Sequence, residues 1–162
     1  MEQAIGKILG INGPVVKVTG SNAFSMQEMV YVGKEQLIGE VIGVTEEAAV
    51  VQVYEETTGL KPGEKVTGTG SPICVTLAPG ILSNIFDGIE RPLVDIRNAF
   101  GSFIGRGANV DALDTKKKWS VTMKVKPGDV LSAQQIVAEV PETELITHKV
   151  MLPPGVCGEV VW

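Results

Sequence analysis

The chain has 162 residues, which at roughly 100 to 200 residues per domain allows one domain or two small ones and leaves no room for a large multidomain enzyme. Hydrophobic residues make 44% and charged residues 20%, with 19 Gly and 9 Pro, a globular and turn-rich composition that excludes disorder and fibre. The formal net charge of -5 repels a phosphate backbone, so non-specific nucleic-acid binding is excluded as well.

Short β-rich runs alternate with turns from the start. Ile5 to Ile11 breaks at Asn12-Gly13-Pro14, and Val15 to Val18 follows. Glu28 to Val32, Leu37 to Val44 and Ala49 to Tyr54 come next, each dominated by β-branched residues. Strands thus recur about every ten residues, the spacing of a small sandwich or closed barrel. Gly39 and Gly43 interrupt the fourth run, which in a barrel marks a sharp bend or close backbone approach. Lys61-Pro62-Gly63-Glu64 predicts a type II turn, because Pro fixes φ at its second position and Gly takes the positive φ at its third. Lys65 to Thr67 and Ile73 to Leu77 are expected to complete about six strands.

The texture changes at Ala78-Pro79-Gly80. Apolar residues at helical spacing in 81–86 predict one short helix, and Pro92 to Phe100 predicts a second, with Pro near its start and Gly101 just past its end. From Phe103 the β texture resumes, with strands expected at Trp119 to Val125, Val130-Leu131, Ile136 to Val140, Leu145 to Leu152 and Val156 to Trp162. Lys126-Pro127-Gly128-Asp129 repeats the earlier turn chemistry over too short a span to be a domain repeat. The apolar finish at Trp162 reads as a polypeptide that continues.

No segment carries an obvious active site. The phosphate-binding pattern G-x-x-x-x-G-K-[ST] and the nucleophile elbow G-x-S-x-G are both absent. His148 has no second ligand or base partner in sequence and reads as structural. Cys74 and Cys157 form no C-x-x-C pair and sit in apolar settings, so they are expected to be reduced, buried thiols that bridge nothing and bind no metal. The paired acids Glu46-Glu47 and Glu55-Glu56 read as solvated turn charge. Lys116-Lys117-Lys118-Trp119 is the strongest basic feature and reads as a solvated loop, with contact to an acidic partner as the sharper alternative. Single-stranded nucleic-acid binding is disfavoured by 5% aromatic content and the sign of the charge. The start lacks a basic then apolar leader, and no run approaches the roughly 18 apolar residues of a spanning helix, so a soluble, unexported chain is expected. Catalytic, cofactor and metal residues are therefore all expected to be none.

Longer motifs carry a resemblance. Gly6-Lys7-Ile8, Gly13-Pro14-Val15-Val16 and Leu37-Ile38-Gly39-Glu40-Val41-Ile42 are followed by the most specific run, Val51 to Glu64 with Glu55-Glu56-Thr57-Thr58-Gly59-Leu60 at its centre. Ile85-Phe86-Asp87-Gly88-Ile89-Glu90-Arg91-Pro92-Leu93, Phe103-Ile104-Gly105-Arg106-Gly107 and His148-Lys149-Val150-Met151-Leu152-Pro153-Pro154-Gly155 continue it. Essentially the whole chain resembles the N-terminal part of the catalytic A subunit of V-type and A-type rotary ATPases. The insertion-like second module resembles A subunits and not B subunits or F-type homologues.

The resemblance implies a mainly all-β chain: a closed six-stranded β-barrel over residues 1–70, a connector with one or two short helices over 71–100, and a bulge or non-homologous β module of barrel-sandwich-hybrid type over 101–162. It also implies that the nucleotide-binding and C-terminal domains lie outside these residues, so that no cofactor is held here while the parent enzyme uses ATP and Mg. The implied partners are B subunits of the hexameric ring and, through the bulge, peripheral stalk subunits. No nucleic acid and no direct membrane contact are expected, and the implied location is cytoplasmic, peripheral to the membrane. The parent couples ATP hydrolysis or synthesis to proton or sodium transport. The alternative is a stand-alone lipoyl- or biotinyl-like carrier or protein-binding module, against which Lys149 lacks the Met-Lys-Met or Asp-Lys setting of a modified lysine.

Overall fold

The computed structural model describes residues 4–82, 84–108 and 110–162. Two compact units emerge: residues 1–75 with 87–110, and residues 76–86 with 111–162.

The first unit is built on six strands, β1 (Ile5–Asn12), β2 (Val15–Val18), β3 (Glu28–Val32), β4 (Leu37–Val44), β5 (Ala49–Val53) and β6 (Lys65–Pro72). They form a closed barrel in the order β1-β2-β5-β4-β3-β6, all neighbours antiparallel, which removes the free edges a small sheet would expose. Alternation along β3 and β5 sends Val30, Val32, Ala49, Val51 and Val53 inward to meet Val16, Val18, Leu37, Val41 and Val66 in one core. The expected close approach occurs at Gly39, where a Cβ would stand 2.8 Å from the Gln52 carbonyl oxygen. β4 also bulges between Val41 and Gly43. Ser21 and Glu28 are buried polar residues of this unit: the Ser21 hydroxyl donates to the Glu46 carbonyl oxygen at 3.2 Å, and Glu28 accepts the N–H groups of Ser25 and Gly70, each at 2.8 Å.

The expected strand at Ile73 to Leu77 does not form. β6 runs instead to Pro72, which lies opposite Glu28, the first residue of β3, while β1 pairs only as far as Thr67. Beyond Pro72 there is no neighbouring backbone to pair with, and β propensity alone does not hold a strand. Helix α1 (Leu93–Phe100) forms as expected, with Pro92 as its N-cap residue and Gly101 as its C-cap, and it buries Ile96.

The second unit pairs β9 (Ile136–Pro141) with β10 (Thr147–Met151) on one side and β7 (Thr122–Met123) on the other, and separately β8 (Val130–Leu131) with β11 (Gly158–Glu159). Two expected strands are cut short. Only Thr122–Met123 of the Trp119 to Val125 run is strand, with the Lys124 N–H still given to the Val137 carbonyl oxygen at 2.9 Å before the turn at Lys126-Pro127, and only Gly158–Glu159 of the last run pairs with β8. Leu145 and Ile146 belong to the β9–β10 loop, their N–H groups given to the Thr143 hydroxyl oxygen at 3.3 and 3.0 Å. No helix forms at Ile81, Leu82 or 84–86, and Ser83 lies outside the described residues. The N–H groups of Gly80 and Leu82 are given to the Glu142 carboxylate at 2.7 and 3.1 Å, which takes them out of any helical ladder. The two Lys-Pro-Gly turns behave alike: Gly63 and Gly128 take φ of 89° and 93°, the left-handed region that the third turn position requires.

Leu37 is fully buried in the barrel core. Leu37→Ala is expected to cost about 2–5 kcal/mol, read as a drop in the denaturant midpoint with the slope unchanged.

Candidate functional site

The densest polar cluster of the first unit lies beside the barrel and not inside it. After β5 the chain leaves the wall at Tyr54, and the next side chain, Glu55, turns inward with only 8% of its surface exposed. Its carboxylate accepts the Gly107 N–H at 2.9 Å and the Ile38 N–H of β4 at 3.5 Å, and the Arg91 guanidinium stands 3.4 Å away. Arg91 is held from the other side by Asp87, whose Oδ2 accepts Arg91 Nε at 2.7 Å. Asp87 Oδ1 accepts two further donors, the backbone N–H groups of Ile89 at 3.1 Å and of Arg91 at 2.9 Å. A second ion pair, Arg106 to Glu35 at 2.9 Å, ties the same return segment to the β3–β4 turn.

Burial pushes the Asp87 carboxyl up, but the Arg91 and Ile89 N–H groups and the Arg91 guanidinium outweigh it and hold the group below its ordinary value of 3.8. The Tyr54 hydroxyl donates to the Glu40 carboxylate; that bond, partial burial and the Glu40 charge hold the phenol above its ordinary 10.0. Tyr54, Ile73, Asp87, Gly88, Ile89 and Arg91 line an open recess of about 390 Å³. Its charged walls are already spent on each other: the guanidinium faces two carboxylates, and the phenol faces a third. The arrangement clamps chain to chain and offers neither a nucleophile beside a base nor a free base.

The second unit has its own clamp. Glu142 keeps 3% side-chain exposure and accepts the two N–H groups of Gly80 and Leu82, with His148 Nδ1 3.7 Å from its other oxygen. Among the described residues no group of three or more His, Cys, Asp and Glu side chains is placed to hold a metal ion, and no helix is long and apolar enough to cross a membrane.

The residues singled out in the sequence divide clearly. Glu46 and Glu47 are exposed turn charge as expected, and so is Glu56. Glu55 is not: it is the buried hub of the clamp, because the Arg91 cation and two N–H donors compensate its desolvation. Cys74 and Cys157 are both exposed, which corrects the expectation of buried thiols. Each sits in a run expected to be strand that found no partner there, so no second layer covers it. His148 is half-buried in β10 opposite Val140. Lys149 is mid-strand opposite Glu139 and not at a hairpin tip, and Lys117 Nζ lies 4.0 Å from the Trp119 ring centroid within an exposed basic loop. Sequence reasoning missed Asp87, Arg91 and Glu142. The four-residue spacing of Asp87 and Arg91 was the one available signal; Glu142 is 62 residues from Gly80 and left none.

The two units correspond to two domain models. Residues 8–70 match the beta-barrel domain of the ATP synthase alpha/beta family, and residues 110–162 match the ATP synthase alpha/beta subunit barrel-sandwich domain. The chain belongs to the ATP synthase alpha/beta family. It is 56% identical over 156 residues to the V-type ATP synthase alpha chain of Halothermothrix orenii and 54% identical to the A subunit of the A-type ATP synthase of Methanopyrus kandleri, in each case across 96% of the chain and 26% of the relative. To the corresponding A-type ATP synthase chain of Pyrococcus abyssi it is 51% identical across 98% of the chain and 16% of the relative. The chain thus spans about a quarter or less of the length of these curated relatives. Family membership sets aside the carrier reading, in agreement with the mid-strand place of Lys149.

Two outcomes follow from the clamp. Glu55→Gln removes the charge facing Arg91 and is expected to cost about 3 kcal/mol, with faster hydrogen exchange at the Gly107 and Ile38 amides; unchanged exchange there would contradict the clamp. For Asp87, whose folded value is the lower one, the stabilisation is present above 3.8 and lost as pH falls through the folded value. Protection of the Ile89 and Arg91 amides should therefore fall in acid, and Asp87→Asn should remove that dependence.

Proposed function

We propose that these residues are the non-catalytic N-terminal portion of the catalytic A subunit of a V/A-type rotary ATPase or ATP synthase, and that they serve assembly and not chemistry. In this reading the barrel (1–70) packs beside the barrels of B subunits and holds the ring together. Residues 71–100 connect it onward, and the module of residues 101–162 meets the peripheral stalk. The parent complex, cytoplasmic and peripheral to the membrane, binds ATP and Mg elsewhere in its length and couples their chemistry to proton or sodium transport.

The observation that carries this reading is the pairing of near-complete coverage of the chain with 26% coverage of an alpha chain at 56% identity. What is present matches, and the G-x-x-x-x-G-K-[ST] pattern is not within it. The barrel also suits the task. A closed sheet around an interdigitated apolar core deforms little and gives each neighbour the same surface at every step of a cycle. The clamp at Glu55, Asp87 and Arg91 then fixes the return segment to that rigid wall, consistent with a mechanical role for charge in this unit.

Isothermal titration of the 162-residue chain with Mg-ATP is expected to show no stoichiometric binding, and mixing with the B subunit of the same complex is expected to give a co-eluting species. Tight Mg-ATP binding, or a stable homotrimer of the chain by light scattering, would sink the assembly reading.

A further inference from the structure

In the second unit a buried carboxylate has one oxygen without a donor, beside the single histidine of the chain. Glu142 keeps 3% side-chain exposure, and its backbone is fixed at the β9–β10 loop, where the Glu142 and Thr143 N–H groups are both given to the Ile146 carbonyl oxygen at 3.1 Å. Its Oε1 accepts the Gly80 and Leu82 N–H groups at 2.7 and 3.1 Å. Its Oε2 accepts no hydrogen bond among the described residues and has His148 Nδ1 3.7 Å away, beyond hydrogen-bond length but within reach of an ion pair. The captured segment is packed as well as bonded. The Asn84 side-chain amide donates to the Gly80 carbonyl oxygen at 2.7 Å, and a Cβ on Gly80 would stand 3.3 Å from the Trp119 ring.

The surroundings of His148 leave Glu142 as its electrostatic partner. His148 lies on β10 opposite Val140, and alternation puts Lys149 on the other face, opposite Glu139, whose carboxylate is held by Lys124 at 2.7 Å. Residues 78–82 carry no charged side chain, and Glu144 in the loop is exposed. Among the described residues Glu142 supplies the one carboxylate within ion-pair distance of the imidazole. Histidine is the side chain whose ordinary change of charge falls between about pH 5 and pH 8.

We propose that Glu142 and His148 form a pH-sensitive latch: protonation of His148 tightens the hold of Glu142 on the Gly80 and Leu82 amides, and loss of that proton loosens it. With the segment docked, the carboxylate is out of water and a cation beside Oε2 offsets the cost of burying its charge; with the segment released, the carboxylate is hydrated and the same attraction is screened. Protonation and docking therefore favour each other, so this part of the latch is present in mild acid and lost as pH rises. The inference goes beyond the assembly reading and does not depend on it, because every group involved belongs to the second unit.

Amide hydrogen exchange of the 162-residue chain, followed residue by residue by NMR and corrected for the intrinsic pH dependence of exchange, tests the latch. Protection of the Gly80 and Leu82 amides should be about two- to fivefold higher at about pH 5.5 than at about pH 7.5, the effect of one partly exposed ion pair. The Lys124 amide, bonded to the Val137 carbonyl oxygen in the same unit, should show no such change. His148→Gln and Glu142→Gln should each flatten the profile at Gly80 and Leu82; the second keeps an oxygen acceptor for the two amides and removes only the charge. A flat profile in the unaltered chain overturns the proposal, as does a pH dependence that survives His148→Gln or one shared equally by Lys124. Should Glu142→Gln fail to fold, His148→Gln, at a half-buried strand position, decides alone.

Discussion

β6 hydrogen-bonds to β1 along one side and to β3 along the other, and this double pairing is the constraint on which the rest of the first unit depends. With the ring closed, every inward position is committed, because a shift of one residue in any strand would turn its valines to water. The core that results is mostly valine, with Ile8, Leu37, Ala49 and one aromatic side chain, Phe24. Specificity is therefore carried by the pairing and by a few places where backbone meets backbone, such as Gly39 against Gln52. Closure also decides where strands end. The chain past Pro72 keeps a β-rich sequence yet has no partner left, so it leaves the barrel as an extended segment.

The clamp beside the barrel turns that rigidity into position. Glu55 and Glu56 are adjacent and chemically alike, and they differ only in what the closed barrel places around them. Glu55 finds the Ile38 amide on β4, the Gly107 amide and the Arg91 guanidinium, while Glu56 remains in water. These donors offset the cost of taking the Glu55 carboxylate out of water. Asp87 completes the arrangement by engaging both the side chain and the backbone of Arg91, so that the turn before α1 is fixed at several atoms at once. Charge in this unit is used to hold one segment on another.

The second unit follows the same logic with less secondary structure. Its strands are short, and a single carboxylate, Glu142, gathers the N–H groups of a segment 60 residues away. The Lys-Pro-Gly turn recurs in both units because one local problem, reversing the chain before a strand, has one cheap solution in backbone dihedrals. Matches of separate models to the two units, in the same order as they occur along the chain, fit this view of two β modules that share turn chemistry without sharing a fold.

By itself the sequence determined the elements whose stability is local. β2, β3 and β4 were legible to the residue, since alternation, β-branching and turn residues act over a few positions, and α1 was legible from its Pro and Gly ends. The motif from Val51 to Glu64 determined the family. Tertiary structure alone decided which β-rich runs became strands, because Ile73 to Leu77 and most of Trp119 to Val125 needed partners that no local signal promises. It also decided the fate of the polar residues. Nothing in the sequence distinguishes Glu55 from Glu56, marks Glu142 as buried, or exposes Cys74 and Cys157. Burial and ionic pairing are set by groups brought from 17 to 62 residues away, and that distance is closed only by the fold.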